Sequence, residues 1–371
     1  MTILCLGVIG VFFSIQVFSL IAQFLKDNKK QQIFSEWPKV SVLLAARNEE
    51  HTILRCLKAL EGVDYPSEKF EVLIGNDASS DKTADIVNSF IKGKSNYKQI
   101  EIKNPLGKAL GKANVLAHLA HAAQGEFYFI TDCDVAVSRG WVKSLLKCFT
   151  PTVGLASGTT KCEPGNWAAT LQSIDWLHFM GYIKSFANIG VSCTSVGNNM
   201  AVRATAYWQT GGYENIDFSI TEDYKLFKEV TSKGWGWRNI LNPESLGMAT
   251  YVSSLTEIMH QRKRWLMGAR ELPWNWKTLI LIYGAFIPAL MGIAWYFPRM
   301  ALGIWVLKFS VQSFFIFHLN KKTKTPGYPF YFYFAYEVYL LIMTVMTAIF
   351  HVLPVKSVWK GRTYGKKALA E

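Results

Sequence analysis

Asp132 and Asp134 stand one residue apart at the end of Phe127-Tyr128-Phe129-Ile130-Thr131, an apolar run that reads as a buried strand. Ending such a strand in two carboxylates is costly unless a cation meets them there. Hard oxygen ligands suit Mg2+ or Mn2+, and a divalent ion bridging a diphosphate neutralises charge that builds on a leaving group. Alternation along a strand sends both carboxylates to the same side. An Asp-x-Asp pair also arises by chance, and it is the strand before it that singles this one out. A second acid has a similar setting, because residues 70–75 are apolar apart from Glu71 and run straight into Asn76-Asp77, with Ser79, Ser80 and Asp81 after them. Ligands of open α/β sheets gather at the carboxyl ends of strands, which places Asp77 to bond a nucleotide base or ribose. The same stretch also reads as a polar turn and a helix cap, the reading preferred for Asp81.

Thr221-Glu222-Asp223 precede Leu226, Phe227 and Val230 at helical spacing. Acids there suit the positive end of a helix. The chemical reading makes Asp223 a general base that takes the proton of an acceptor hydroxyl, a contribution of ~10²- to 10⁴-fold. Gln261-Arg262-Lys263-Arg264-Trp265 is the fourth element. Its Arg and Trp side chains either anchor a helix among lipid headgroups, or set Arg264 on a pyrophosphate with Trp265 over the acceptor.

The elements that must position these residues alternate. Candidate strands at 40–45, 70–75, 99–102 and 126–131 are separated by helical patterns at 49–60, 81–91 and 108–123, which predicts an α/β fold with a mainly parallel, nucleotide-binding type of sheet. Half of the 371 residues are apolar, with 13 Trp and 24 Phe, and the apolar residues concentrate at the two ends. Residues 1–25 predict a transmembrane anchor, 26–260 a cytoplasmic catalytic domain and 261–277 an amphipathic helix in the membrane interface. Residues 278–355 predict further transmembrane segments, with a basic tail at 356–371. Lys308 and Glu337 interrupt those segments and can pair with each other. Three crossings after a cytoplasmic domain would put the basic tail outside, so one segment is open to a re-entrant reading.

The net charge of +13 clusters beside the apolar runs, at Lys26, Lys29 and Lys30 and at Lys321, Lys322 and Lys324. Positive flanks on the cytoplasmic side explain this better than a nucleic-acid partner, for which no recognition helix or zinc pattern is present. The six cysteines form no CxxC pair and read as reduced thiols.

The ordered set Asp77, Asp132 with Asp134, Asp223, and Gln261-x-x-Arg264-Trp265 resembles the family 2 inverting glycosyltransferases of the GT-A fold. Ala46-Arg47-Asn48-Glu49-Glu50, Gly111-Lys112-Ala113-Asn114 and Gly211-Gly212-Tyr213 agree with it, and the likeness covers about residues 38 to 270. It implies that Arg47, Glu49 and Asp77 contact the base and ribose of a UDP-type donor. Lys112, Asp132 and Arg264 would bind the donor further, Asp132 and Asp134 the metal. Asp223 would be the base for displacement with inversion, and Glu222, Gln261 and Trp265 would belong to the acceptor pocket. Asn76 departs from the pattern, since the family often has two acids at Asn76-Asp77, which leaves base recognition less defined.

The expected activity is transfer of one sugar to a lipid or lipid-linked acceptor at the inner or plasma membrane, with a processive polysaccharide synthase as the alternative. A metal-dependent nucleotidyl- or phosphoryltransferase is weakened by Gly93-Lys94-Ser95, where Asn88 replaces the first glycine of a phosphate loop. A non-catalytic scaffold or transporter would rest on Lys308 and Glu337.

Overall fold

The computed structural model describes residues 1–25, 30–192, 194–360 and 362–364. Lys26, Lys29, Cys193 and Lys367, which entered the sequence reading, lie outside the described residues.

In chain order, α1 (Thr2–Phe24) is followed by β1 (Val40–Ala46), α2 (Ile53–Glu61), β2 (Phe70–Asn76), α3 (Thr83–Ile91), β3 (Tyr97–Glu101), α4 (Lys112–Ala122) and β4 (Phe127–Asp132). Next come β5 (Val135–Val137), α5 (Trp141–Leu146), β6 (Val153–Ser157), β7 (Thr159–Cys162), α6 (Trp167–Asn188), β8 (Asn199–Arg203) and α7 (Ala204–Gln209). The chain continues with α8 (Glu222–Ser232), β9 (Gly236–Asn239), β10 (Leu246–Ala249), α9 (Leu255–Gly268) and α10 (Trp274–Tyr296). Last are α11 (Pro298–Lys322), α12 (Phe330–Val352), β11 (Ser357–Trp359) and β12 (Arg362–Tyr364). Two compact units result. One gathers α1, α6 and α9 to α12, and the other gathers the strands and helices between them with the chain from residue 358 onward. Residues 164–193, expected inside a continuous 26–260 domain, group with the apolar helices instead.

In the sheet unit, seven strands take the order β3-β2-β1-β4-β8-β6-β9. β1 pairs in parallel with both β2 and β4, and β2 with β3, whereas β8 runs antiparallel between β4 and β6. Their apolar runs are buried because helices cover them. Val40, Val42 and Leu44 of β1 share one core with Ile53 and Leu57 of α2, Phe129 of β4 and Trp141 of α5. Losing one such side chain, as in Leu57→Ala, costs about 2–5 kcal/mol. A smaller sheet of order β5-β10-β7 stands beside it. Successive strands step outward from β1 to β3 and then resume on the other side at β4. The crossovers therefore part between β1 and β4, the switch point at which open α/β sheets form a crevice.

In the helical unit, α1 packs on α10 through Ile9, Phe12, Phe286, Ala289 and Ile293. Among the described residues, four helices are long and apolar enough to cross a membrane: α1, α10, α11 and α12. The expected interface helix at 261–277 is divided. α9 ends at Gly268, and Pro273 precedes the start of α10 at Trp274, consistent with the extended backbone a proline imposes on the residue before it. α9 begins earlier than expected, with Ser254 as its N-cap, whose hydroxyl accepts from the Glu257 amide at 3.4 Å. Lys308 and Glu337 do pair, at 2.5 Å, with the Gln312 amide donating to the same carboxylate.

Candidate active site

The register sets Ala46 of β1 beside Asn76 of β2, and Ala45 beside Asp132 of β4, so three adjacent strands end level at the crevice. Asp77 extends the pairing by one step, its amide donating to the Ala46 carbonyl at 2.9 Å. Beyond the strand ends the two loops interlock. Arg47 Nη1 donates to the Asp77 carbonyl at 2.6 Å, Asn48 N to Ser79 Oγ at 3.1 Å, and Ser80 N to Asn48 Oδ1 at 2.9 Å. Asn48 and Ala78 both adopt left-handed backbone, with φ of 52° and 50°, a conformation non-glycine residues hold only when their surroundings fix it. Asp81 accepts from Thr83 N at 3.0 Å and from Glu50 N at 3.1 Å, which fits its reading as a cap.

Across the switch point, Lys112 opens α4. Gly111 before it has φ of 58°, a turn an L side chain rarely adopts. The Lys112 ammonium lies 2.6 Å from Asp132 Oδ1 and 2.9 Å from Glu222 Oε1, and so joins the end of β4 to the start of α8. Burial opposes its charge, but Asp132 and Glu222 outweigh that and push its pKa up. Asp223 follows Glu222 and is half-buried. Its Oδ2 accepts from Gly197 N at 2.8 Å and its Oδ1 from Tyr224 N at 2.7 Å. A Cβ on Gly197 would fall 2.7 Å from the Asp223 Cβ, so only glycine permits this approach. Burial, then repulsion from Glu222, lifts Asp223 to about 6, against the pull of Lys112 and the two backbone amides. Asp223 thus binds an amide of the first helical turn, and its carboxyl is held above the ordinary carboxylate range.

Asp134 is lifted further, to about 7, by burial and then by Asp132 and Glu49. Arg55 of α2 holds the backbone of this turn, Nη1 donating to the Asp134 carbonyl at 3.1 Å and Nη2 to the Met248 carbonyl at 2.8 Å. Burial also raises Glu49, while Lys360 works against it. Lys360 comes from the turn between β11 and β12, its ammonium 3.0 Å from Glu49 Oε1. Asp132 and Glu49 both push Asp134 up, and this concentration of acids is the setting a divalent cation fits. Among the described residues, no three His, Cys, Asp or Glu side chains group as metal ligands.

Arg47, Glu49, Asp77, Lys112, Asp132, Asp134, Glu222 and Asp223 thus all belong to the sheet unit, at the edge where β1, β2 and β4 end. Gln261, Arg264 and Trp265 lie on α9 of the helical unit. There, Trp265 meets Trp176 edge-on at 5.4 Å, Arg262 pairs with Asp175, and Lys263 donates to the carbonyls of Phe350 and Leu353. Sequence reasoning missed Arg55, Gly197 and Lys360. Their contacts join residues distant in the chain, and no local periodicity announces them.

The model of glycosyl transferase family 21 matches residues 4–366. The chain belongs to this family. Family 21 is a family 2-like family of glycosyltransferases, in keeping with the resemblance that the motifs carry. Relatives include a probable glycosyltransferase, YdaM, of Bacillus subtilis (strain 168), 28% identical over 65% of this chain and 57% of its own length. The beta-monoglucosyldiacylglycerol synthase of Synechocystis sp. is 23% identical over 75% of the chain and 60% of its own. A poly-beta-1,6-N-acetyl-D-glucosamine synthase of Staphylococcus epidermidis is 24% identical over 77% and 71%. The first two matches span less than two thirds of the relatives' length. Among solved structures, the mannosyltransferase PcManGT from Pyrobaculum calidifontis, in complex with GDP-Man and Mn2+, aligns with a TM-score of 0.59 at 15% identity, covering 95% of this chain and 98% of that one. That likeness establishes the GT-A fold of the glycosyltransferase.

Proposed function

We propose that this glycosyltransferase binds a nucleotide-diphosphate sugar of the UDP type at the strand-end crevice and passes the sugar, with inversion, to a lipid or lipid-linked acceptor. The observation that carries the reading is Lys112, whose ammonium ties Asp132 to Glu222 and so brings the base beside the acid pair. Arg47, Glu49 and Asp77 receive the base and ribose, while Lys112 and Asp132 face the diphosphate. Asp223 removes the acceptor hydroxyl proton as its oxygen attacks the anomeric carbon, and a single displacement of this kind inverts the configuration. Asp134 and Asp132 would hold Mg2+ or Mn2+, which supplies charge neutralisation at the leaving diphosphate. Two carboxylates suffice when substrate phosphates complete the shell, so a third protein ligand is not required.

Glu222 is assigned here to Lys112, on the donor side of the site. Gln261, Arg264 and Trp265 of α9 are proposed to serve the donor pyrophosphate and the acceptor. The four apolar helices support a membrane-embedded enzyme, and the basic residues Lys321, Lys322 and Lys324 at the end of α11 support a cytoplasmic catalytic unit. Processive polysaccharide synthesis is the second reading, favoured by the relative named as a poly-beta-1,6-N-acetyl-D-glucosamine synthase. The deciding experiment incubates the purified protein with a panel of nucleotide sugars and native lipid extract, and identifies products by mass spectrometry. A lipid carrying one added sugar supports the proposal. A ladder of polymer lengths favours the second reading, and release of pyrophosphate in place of a nucleoside diphosphate refutes both.

A further inference from the structure

The tip of the β11–β12 hairpin reaches the strand-end loop that follows β1. Lys360 Nζ lies 3.0 Å from Glu49 Oε1 and donates to the Asn48 carbonyl at 3.1 Å. Arg47 Nε in turn donates to the Lys360 carbonyl at 3.1 Å. One residue therefore touches three successive residues of the loop, from more than three hundred positions away. Lys360 holds left-handed backbone, φ of 47°, as does Asn48 facing it. Asparagine tolerates this backbone and a tight hairpin turn calls for it, so what marks the point is the set of contacts that joins the turn to the loop. A partly exposed ion pair contributes only about 0–1 kcal/mol to folding, so stability alone does not account for the arrangement. The Lys360 charge also opposes the burial that disfavours ionised Glu49.

We propose that Lys360 is a positioning residue of the donor site, in which the C-terminal hairpin holds Arg47 and Glu49 in the arrangement that receives the nucleotide. This inference rests on the donor-binding reading of that loop and adds to it a part of the chain the motifs do not reach. Lys360 acts through Glu49 and Arg47, so it governs capture of the donor, and the proton transfer at Asp223 proceeds without it.

The test uses the full chain with Lys360→Met, Lys360→Arg and Asp77→Ala, reading equilibrium UDP binding, KM for the nucleotide sugar and kcat. Lys360→Met is expected to raise the donor KM about tenfold with kcat within about twofold, and Lys360→Arg to restore most of the loss. In a Glu49→Gln background, Lys360→Met should add less than about twofold, because coupled residues are not additive. Loss of UDP binding in Asp77→Ala but not in Lys360→Met overturns the inference and leaves the donor reading intact. Full multiplicative loss in the Glu49→Gln background also overturns it. Unchanged UDP binding in Asp77→Ala refutes the donor reading, and the inference falls with it.

Discussion

Replacing Lys112 by Met removes the one ammonium seen between Asp132 and Glu222 and keeps the length of the aliphatic stem. Two consequences follow from the geometry. Stability falls only modestly, since the Asp132 side chain is 37% exposed and water screens a pair of this kind, which contributes about 0–1 kcal/mol. The second concerns Asp223, whose pKa of about 6 is reached against the downward pull of Lys112. An opposite charge close to a carboxyl lowers its pKa by about 1–3 units, so deleting it moves Asp223 upward. A base must be deprotonated to act, and the wild-type rate should therefore rise with pH through about 6 and level off above it. A rise of two units would leave only about a tenth of Asp223 ionised at pH 7, where about nine tenths is ionised in the wild type. The assay is kcat against pH at saturating donor, from pH 5 to 9, with circular dichroism confirming the fold. The variant should lose about tenfold at pH 7 and recover much of that loss at pH 9. A folded variant whose midpoint stays at the wild-type pH refutes the electrostatic account of Lys112.

Asp223→Asn should lower kcat by ~10²- to 10⁴-fold while UDP binding stays close to wild type, and equal loss of both in a titration would show the base is misassigned. Gly197→Ala must displace Asp223, because the new Cβ falls 2.7 Å from the Asp223 Cβ. Its pH–rate midpoint should move upward as the Gly197 amide bond is lost, and an unchanged profile would count against that contact. In the helical unit, Lys308→Met leaves Glu337 buried without its ammonium, and thermal unfolding in detergent should show a loss of about 3–5 kcal/mol. Adding Glu337→Leu should recover most of it.

Residues 40–45, 70–75 and 126–131 were legible as strands because each is an almost unbroken apolar run, buried on both faces between helices. The strand expected at 99–102 begins two residues earlier and ends one earlier, as Tyr97–Glu101, since its polar edge position gives the boundary little hydrophobic definition. β6, β8 and β9 were not legible, for Val-Gly-Leu-Ala-Ser, Asn-Met-Ala-Val-Arg and Gly-Trp-Arg-Asn carry weak patterns and owe their form to neighbouring strands. α6 escaped notice because Asp175, His178 and Lys184 interrupt its apolar character. Two of these have visible partners in the helical unit: Tyr336 Oη lies 2.9 Å from Asp175 Oδ1 and 3.0 Å from His178 Nδ1. The acids at strand ends and at the start of α8 were readable from local setting alone. The cations that join them were not, because Lys112 and Lys360 act on partners that only folding brings near.

The edge where β1, β2 and β4 end is proposed to bind a nucleoside diphosphate together with a divalent cation held by Asp134 and Asp132. Calorimetric titration of UDP into the protein with and without Mn2+ tests it directly. Mn2+ should tighten UDP binding about tenfold or more, UDP should tighten Mn2+ binding by the same factor as reciprocity requires, and Asp134→Ala should abolish both effects. UDP affinity indifferent to Mn2+ and unaltered by Asp134→Ala would contradict it.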